Sequence, residues 1–185
     1  MTQLLELEPE DRVLEIGTGS GYAAAILSRI VAAVHTVERH AALARGARAV
    51  FERLGYDNIR VHEGDGSLGW PAEGPYDAIV VTAAAPEVPA SLKRQLAVGG
   101  RLVIPVGSGR LQELLRIRRT GEDAYEQEQR LSVRFVPLVG AEGWRLKRGP
   151  SGSSMRPRPN SRATISTPSS PASSTNTSGS TRPGR

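Results

Sequence analysis

The chain has 185 residues, 24 of them basic and 19 acidic, for a formal charge of +5, and it contains no cysteine. That length suits one domain of ordinary size, and the missing thiols exclude a disulfide framework and any thiolate metal site. No apolar run approaches the ~18–20 residues of a membrane span, and Met1 to Glu10 lacks the basic-then-apolar pattern of a secretion signal, so a cytoplasmic location without a membrane partner is expected.

The positive charge invites a nucleic-acid reading until it is located. Residues 149–185 hold five arginines and no acid, so residues 1–148 are neutral and no nucleic-acid partner is expected. In that tail Ser, Thr, Pro, Gly and Arg make up 31 of 37 residues, too little apolar material to offset an ordering cost of roughly 1–2 kcal/mol per residue. Residues 149–185 are therefore expected to be disordered, beside one folded domain over 1–148.

In chain order, Arg12–Ile16 reads as a strand and Gly21–Val31 as a helix, with Tyr22, Ile26 and Ile30 four residues apart. Val34–Val37 is a second strand. His40–Leu54 is a second helix, with Leu43, Ala47, Val50 and Leu54 on one stripe and Gly55 as its stop. Ile59–His62 and Tyr76–Thr82 continue as strands, the latter unbroken in its apolar run, as for a strand covered on both faces. Pro89–Leu96 is a short helix and Arg101–Val106 a fifth strand. Glu113–Arg119 and Ser132–Val139 are expected to pair across the polar connection Thr120–Gln129, with Arg116 and Arg118 on the wet face of an edge strand. The alternation predicts an α/β fold: a doubly wound, mainly parallel sheet with helices on both faces.

The first strand ends in Glu15-Ile16-Gly17-Thr18-Gly19-Ser20-Gly21 and enters a helix directly. Glycines there permit positive φ and close approach of a ligand to the backbone, beside the positive end of a helix. The spacing is G-x-G-x-G; the dinucleotide fingerprint needs a further small residue where Tyr22 stands. Glu15 would repel a pyrophosphate, whereas an amino group or a sulfonium would be attracted. Glu38, at the end of the second strand, occupies the station where doubly wound folds accept hydrogen bonds from ribose hydroxyls. Asp65, between Gly64 and Gly66, is either a turn residue or an acceptor for an adenine amino group. Ser20 and Ser67 read as turn residues.

The run Val13-Leu14-Glu15-Ile16-Gly17-Thr18-Gly19-Ser20-Gly21-Tyr22 resembles motif I of class I S-adenosylmethionine methyltransferases. Further blocks narrow the resemblance to the protein-L-isoaspartate O-methyltransferase family. They are Val37-Glu38-Arg39, Gly64-Asp65-Gly66 with Gly69-Trp70-Pro71, the run from Pro75 to Pro86, the run from Gly99 to Gly107, and Val133 to Gly140. The resemblance spans about residues 9–144. It implies a three-layer α/β/α fold of seven strands with the last pair antiparallel, and a monomeric repair enzyme in the cytoplasm. Such an enzyme moves the methyl of S-adenosyl-L-methionine, its co-substrate, to the α-carboxylate of L-isoaspartyl residues in damaged proteins.

By position, the resemblance gives Glu15, Gly17, Thr18, Gly19 and Gly21 the methionine part of the co-substrate, Glu38 the ribose, and Asp65 with Gly66 the adenine end. Gln112 falls beside the expected substrate pocket. Family members carry a longer segment before motif I, including a serine-threonine-proline motif that supplies the active-site serine. Here eleven residues precede the first strand and none matches it, so no catalytic residue is assigned and slow turnover of residues 1–185 is expected. Two alternatives stand beside this reading: a methyltransferase for another acceptor, RNA or a small molecule, and an inactive fragment.

His35, His40 and His62 have no metal-ligand spacing and read as structural or solvent-facing, and no metal is expected. Trp70 and Trp144 read as packing or rim residues. Of the eight aromatic residues, Phe135 alone falls on the expected strand pair, which is poor material for stacking bases.

Overall fold

The computed structural model describes residues 1–108, 111–146 and 155–156. Seven strands form one sheet: β1 (Arg12–Ile16), β2 (Ala33–Glu38), β3 (Ile59–Glu63), β4 (Tyr76–Val81), β5 (Leu96–Ser108), β6 (Leu111–Arg119) and β7 (Tyr125–Val133). Their order is β3-β2-β1-β4-β5-β6-β7. The first five run parallel, whereas β6 and β7 return as an antiparallel meander. Among the described residues the α-helices are α1 (Tyr22–Leu27), α2 (Ala41–Leu54) and α3 (Ala90–Arg94). No described helix is long and apolar enough to cross a membrane.

The period of two along β1 and β4 divides the core between the faces of the sheet. Val13, Val34, Ala78, Val80 and Val103 pack with Ala24, Leu27, Ala47 and Phe51 of α1 and α2, and with Leu5 of the amino-terminal turn. Leu14, Ile16, Ile79, Val81 and Leu102 pack on the other face with Leu92 of α3 and with Leu138. Each Val, Leu, Ile or Phe among them contributes about 1.5–3 kcal/mol on leaving water. The amino-terminal turn is fastened by Arg101, which donates to the Leu5 carbonyl at 2.6 Å and to Asp11 at 2.9 Å.

Five expectations need correction. The helix read over Gly21–Val31 is six residues long, and its apolar stripe is outside: Tyr22, Ile26 and Ile30 are exposed while Ala24 and Leu27 are buried. A small alanine lets the helix lie close on the sheet, and that set the buried face rather than side-chain bulk. On α2 the buried stripe is Ala44, Ala47 and Phe51, rotated from the expected one, so Leu43 and Leu54 are exposed. The last strand is the polar run Tyr125–Val133, not Ser132–Val139. It is an edge strand with most side chains in solvent, so it carries no alternating pattern. Finally β6 is interior, flanked by β5 and β7; Arg116 pairs with Glu6 and is not on a free edge. Tyr125, rather than Phe135, is the aromatic residue of the strand pair.

His35 and His62 face each other, Nδ1 to Nε2 at 3.1 Å, and His62 stacks on Trp70 at 4.2 Å between ring centres. Burial pushes both imidazoles below the usual histidine range. Trp144 is buried and donates its indole N–H to the Ala84 carbonyl at 2.9 Å. Within the tail expected to lack structure, Met155–Arg156 pairs antiparallel with Arg145–Leu146; the remainder of 149–185 lies outside the described residues.

Candidate functional site

Where the chain crosses from β1, β2 and β3 on one side to β4 and β5 on the other, the carboxyl ends of the strands leave a crevice, the usual ligand position in open α/β sheets. A cavity of about 430 Å³ occupies it. Its floor is Ile16, Gly17, Gly19 and Val37; Glu38, Arg39, His40 and Leu43 form one wall, and Gly66, Thr82, Ala83 and residues 136–139 the other. The volume lies within the range of small-ligand sites.

The three loop glycines have different reasons to be there. Gly17 has φ +100° and a Cβ on it would lie 2.3 Å from Thr82 Oγ1. Thr82 in turn donates to the Ile16 and Gly17 carbonyls, at 2.9 and 3.0 Å. Gly21, at φ +85°, caps α1 and would meet the Phe51 ring at 2.5 Å. Gly19, at φ +54°, has no protein atom near its Cβ position and lines the cavity, so its backbone is presented bare. Gly17→Ala is therefore expected to cost about 1–3 kcal/mol from strain and crowding together. Thermal melting measures it, and an unchanged melting temperature would contradict it.

Glu38 is buried, yet its carboxylate borders the cavity. Oε2 accepts from the Gly19 N–H at 3.0 Å and Oε1 from the His40 N–H at 2.9 Å. Each oxygen keeps a lone pair for a further donor. Glu15 lies beneath the loop with no exposed surface. Its Oε2 accepts from Thr36 Oγ1 at 2.6 Å, and Oε1 has no partner. Burial, reinforced by the charge of Glu38 and opposed by the Thr36 hydrogen bond, pushes the Glu15 carboxyl up to about 7. Thr18 is likewise buried, its hydroxyl 2.7 Å from that of Thr36.

Asp65 and Gln112 are placed differently. The Asp65 carboxylate caps the turn that follows it, accepting from Ser67 N–H at 3.0 Å and Ser67 Oγ at 2.7 Å, and from the Ala141 N–H at 2.6 Å. Its neighbour Gly66 is the one of the pair that lines the cavity. Gln112 is buried and clasps the backbone of Phe135, accepting from its N–H at 2.6 Å and donating to its carbonyl at 3.1 Å. It thereby holds the segment that runs on into the cavity wall at residues 136–139. Thus Gly17, Gly19, Glu38 and Gly66 meet in one cavity; Glu15 and Thr18 lie below it, Gly21 behind it, and Asp65 and Gln112 hold its wall.

Thr36 and Thr82 were not singled out from the sequence, and Leu43, read there as part of a core stripe, lines the cavity instead. Thr36 had a signal. It shares a strand face with Glu38, two residues away, and is the direct partner of Glu15 in the β1–β2 register. No group of three or more His, Asp or Glu side chains positioned to hold a metal occurs among the described residues.

The family model for protein-L-isoaspartate(D-aspartate) O-methyltransferase (PCMT) matches residues 1–143. Protein-L-isoaspartate O-methyltransferase 2 of Pelobacter propionicus is 69% identical over 145 residues, which are 78% of this chain and 64% of that protein. Protein-L-isoaspartate O-methyltransferase 1 of Geotalea uraniireducens is 63% identical over 145 residues, 78% of this chain and 66% of its own length. The chain therefore spans a little under two thirds of the length of these relatives. Among solved structures, a protein-L-isoaspartate O-methyltransferase superposes with a TM-score of 0.72 at 34% identity, over 77% of this chain and 46% of the other. A Plasmodium falciparum chain assigned as a beta-aspartate methyltransferase (PCMT), in complex with S-adenosyl-L-homocysteine, superposes with a TM-score of 0.61 at 26% identity, over 75% and 70%. With its seven-stranded α/β fold and a family match over more than three quarters of its length, the chain belongs to the protein-L-isoaspartate(D-aspartate) O-methyltransferase family.

Proposed function

We propose that this chain binds S-adenosyl-L-methionine in the cavity above the glycine loop and serves methyl transfer to the α-carboxylate of L-isoaspartyl residues in damaged proteins. The observation that carries the reading is the Glu38 carboxylate, buried at the cavity wall beside the bare backbone of Gly19 with lone pairs to spare. Two vicinal hydroxyls of a ribose suit such an acceptor.

The residues fit the rest of the co-substrate. Glu15, when ionised, puts negative charge under the loop, which favours a cationic amino acid part over a phosphate. Val37, Leu43 and Leu138 offer apolar surface for a flat base between Glu38 and Gly66. The co-substrate, when bound, supplies a methyl group on a sulfonium sulfur. The chain's own contribution is alignment and exclusion of water, which in well-oriented systems lowers a barrier by ~7–11 kcal/mol. In this reading Gly17 and Gly19 shape the floor, the buried Thr18 supports it, and Gln112, through Phe135, sets the wall that an acceptor carboxylate passes. Damaged proteins are the partners it implies, and the absence of cysteine from the sequence suits a reducing cytoplasm.

Incubating the chain with methyl-labelled S-adenosylmethionine and a peptide in its isoaspartyl and aspartyl forms tests the proposal. Base-labile label on the isoaspartyl form alone is expected. Equal labelling of both forms, or label transferred to RNA instead, would overturn the substrate assignment.

A further inference from the structure

We infer that Thr36 is a positioning residue that couples the charge of Glu15 to the hydrogen-bonding character of Thr18 in the glycine loop, and thereby makes the site select ligands with a cationic amino group. The inference rests on the co-substrate reading above and extends it to a residue that never touches the ligand.

Proton bookkeeping carries the argument. Thr36 has one hydroxyl proton and two neighbours, Glu15 Oε2 at 2.6 Å and Thr18 Oγ1 at 2.7 Å. An ionised Glu15 only accepts, so Thr36 must donate to it and Thr18 must donate to Thr36. The chain then points inward, and the lone pairs of the Thr18 hydroxyl are left facing outward from it. A protonated Glu15 releases that constraint. It can donate to Thr36, which then donates to Thr18, and the chain points outward. The loop residue Thr18 therefore presents acceptor character when Glu15 is charged and donor character when it is neutral.

A cation near the loop favours the charged arrangement through both the carboxylate and the hydroxyl chain. Two features hold Glu15 near the balance between its forms. It is fully buried, and Oε1 has no hydrogen-bond partner. From β2, Glu38 disfavours ionisation and Thr36 favours it; from β4 the register partner is Val80, which carries no charge. Glu15 titrates near neutrality for these reasons, so the selection operates in the physiological range.

Calorimetric titration of the full chain with S-adenosylhomocysteine and with adenosine, at pH 6, 7 and 8, tests this in wild type, Thr36→Val, Thr36→Ser and Glu15→Gln. Wild-type affinity for S-adenosylhomocysteine should rise with pH, by up to about tenfold per unit while Glu15 titrates, and adenosine should show no such gain. Thr36→Val should displace that rise to higher pH, leaving binding at pH 7 weaker by about tenfold, with adenosine unaffected. Thr36→Ser should follow wild type. Glu15→Gln should lose the rise. Should Thr36→Val fail to fold, Thr36→Cys keeps a similar volume, replaces the hydroxyl by a much weaker donor and should shift the profile the same way by less. A wild-type pH profile in Thr36→Val or Thr36→Cys, or equal losses for both ligands, would overturn the inference while leaving the co-substrate site standing. Failure of the wild type to bind either ligand would overturn both.

Discussion

Replacing Glu38 by alanine is expected to weaken S-adenosylhomocysteine binding by roughly tenfold to a hundredfold. The substitution removes a charged acceptor, worth about 1.5–3 kcal/mol to a ligand hydroxyl pair. It also frees the Gly19 and His40 N–H groups, which the two carboxylate oxygens now hold at 3.0 and 2.9 Å. The loop and the start of α2 lose their common tether, so part of the loss is expected as a less ordered floor. Glu38→Gln keeps one accepting oxygen and should lie between alanine and wild type. Calorimetry gives the affinities, and thermal melting without ligand separates the tether from the ligand contact. Wild-type affinity in Glu38→Ala would reject Glu38 as the ribose acceptor, and with it the orientation proposed for the co-substrate.

Glu38 was legible because a doubly wound fold fixes its station: the end of the second strand, after a glycine loop at the end of the first. The strands β1 to β5 were legible for a related reason. Parallel strands covered on both faces are apolar where they are covered, as residues 78–81 are within Tyr76–Val81. The edge strand β7 obeys no such rule, and its run of Glu, Gln and Arg looks like a loop until a partner strand is seen beside it. The rotated stripes of α1 and α2 show a similar limit. Spacing marks a helix, but packing on the sheet chooses the buried face: Ala24, Ala44 and Ala47 allow close approach and Phe51 is buried beside them, so Tyr22 and Leu54 stay outside.

Asp65 and Gln112 show the corresponding limit at the site. Sequence position placed both near the crevice, and both are near it. Whether a polar side chain faces a ligand or its own backbone depends on long-range partners, here Ala141 and Phe135, that lie 76 and 23 residues away. Gly140 belongs with them: a Cβ there would sit 2.0 Å from Asp65 Oδ1, so the turn and the aspartate fit only as a pair. No local pattern announces such a pair.

The largest pH effect on stability should come from Glu15. Its carboxyl titrates at about 7 in the folded chain and at the ordinary glutamate value of 4.5 when unfolded. Between those values the folded form keeps a proton that the unfolded form has released, so folding grows less favourable as pH rises through the window. The loss is complete above about pH 7 and amounts to about 3 kcal/mol, a large share of the 5–15 kcal/mol typical of a domain. His35 and His62 act in the opposite sense, because burial keeps them neutral and the unfolded chain takes up protons first as pH falls below 6.5. Wild-type stability alone therefore mixes two slopes. Glu15→Gln removes only the first, and urea unfolding of both proteins at pH 5, 6, 7 and 8 isolates it. The variant should gain on wild type as pH rises, by about 2.5 kcal/mol between pH 5 and 8. Saturating S-adenosylhomocysteine should shrink that gain, since a cationic amino group near the loop draws the Glu15 carboxyl back toward its ordinary value. Parallel pH profiles for the two proteins would show that Glu15 is not the buried acid that sets the slope.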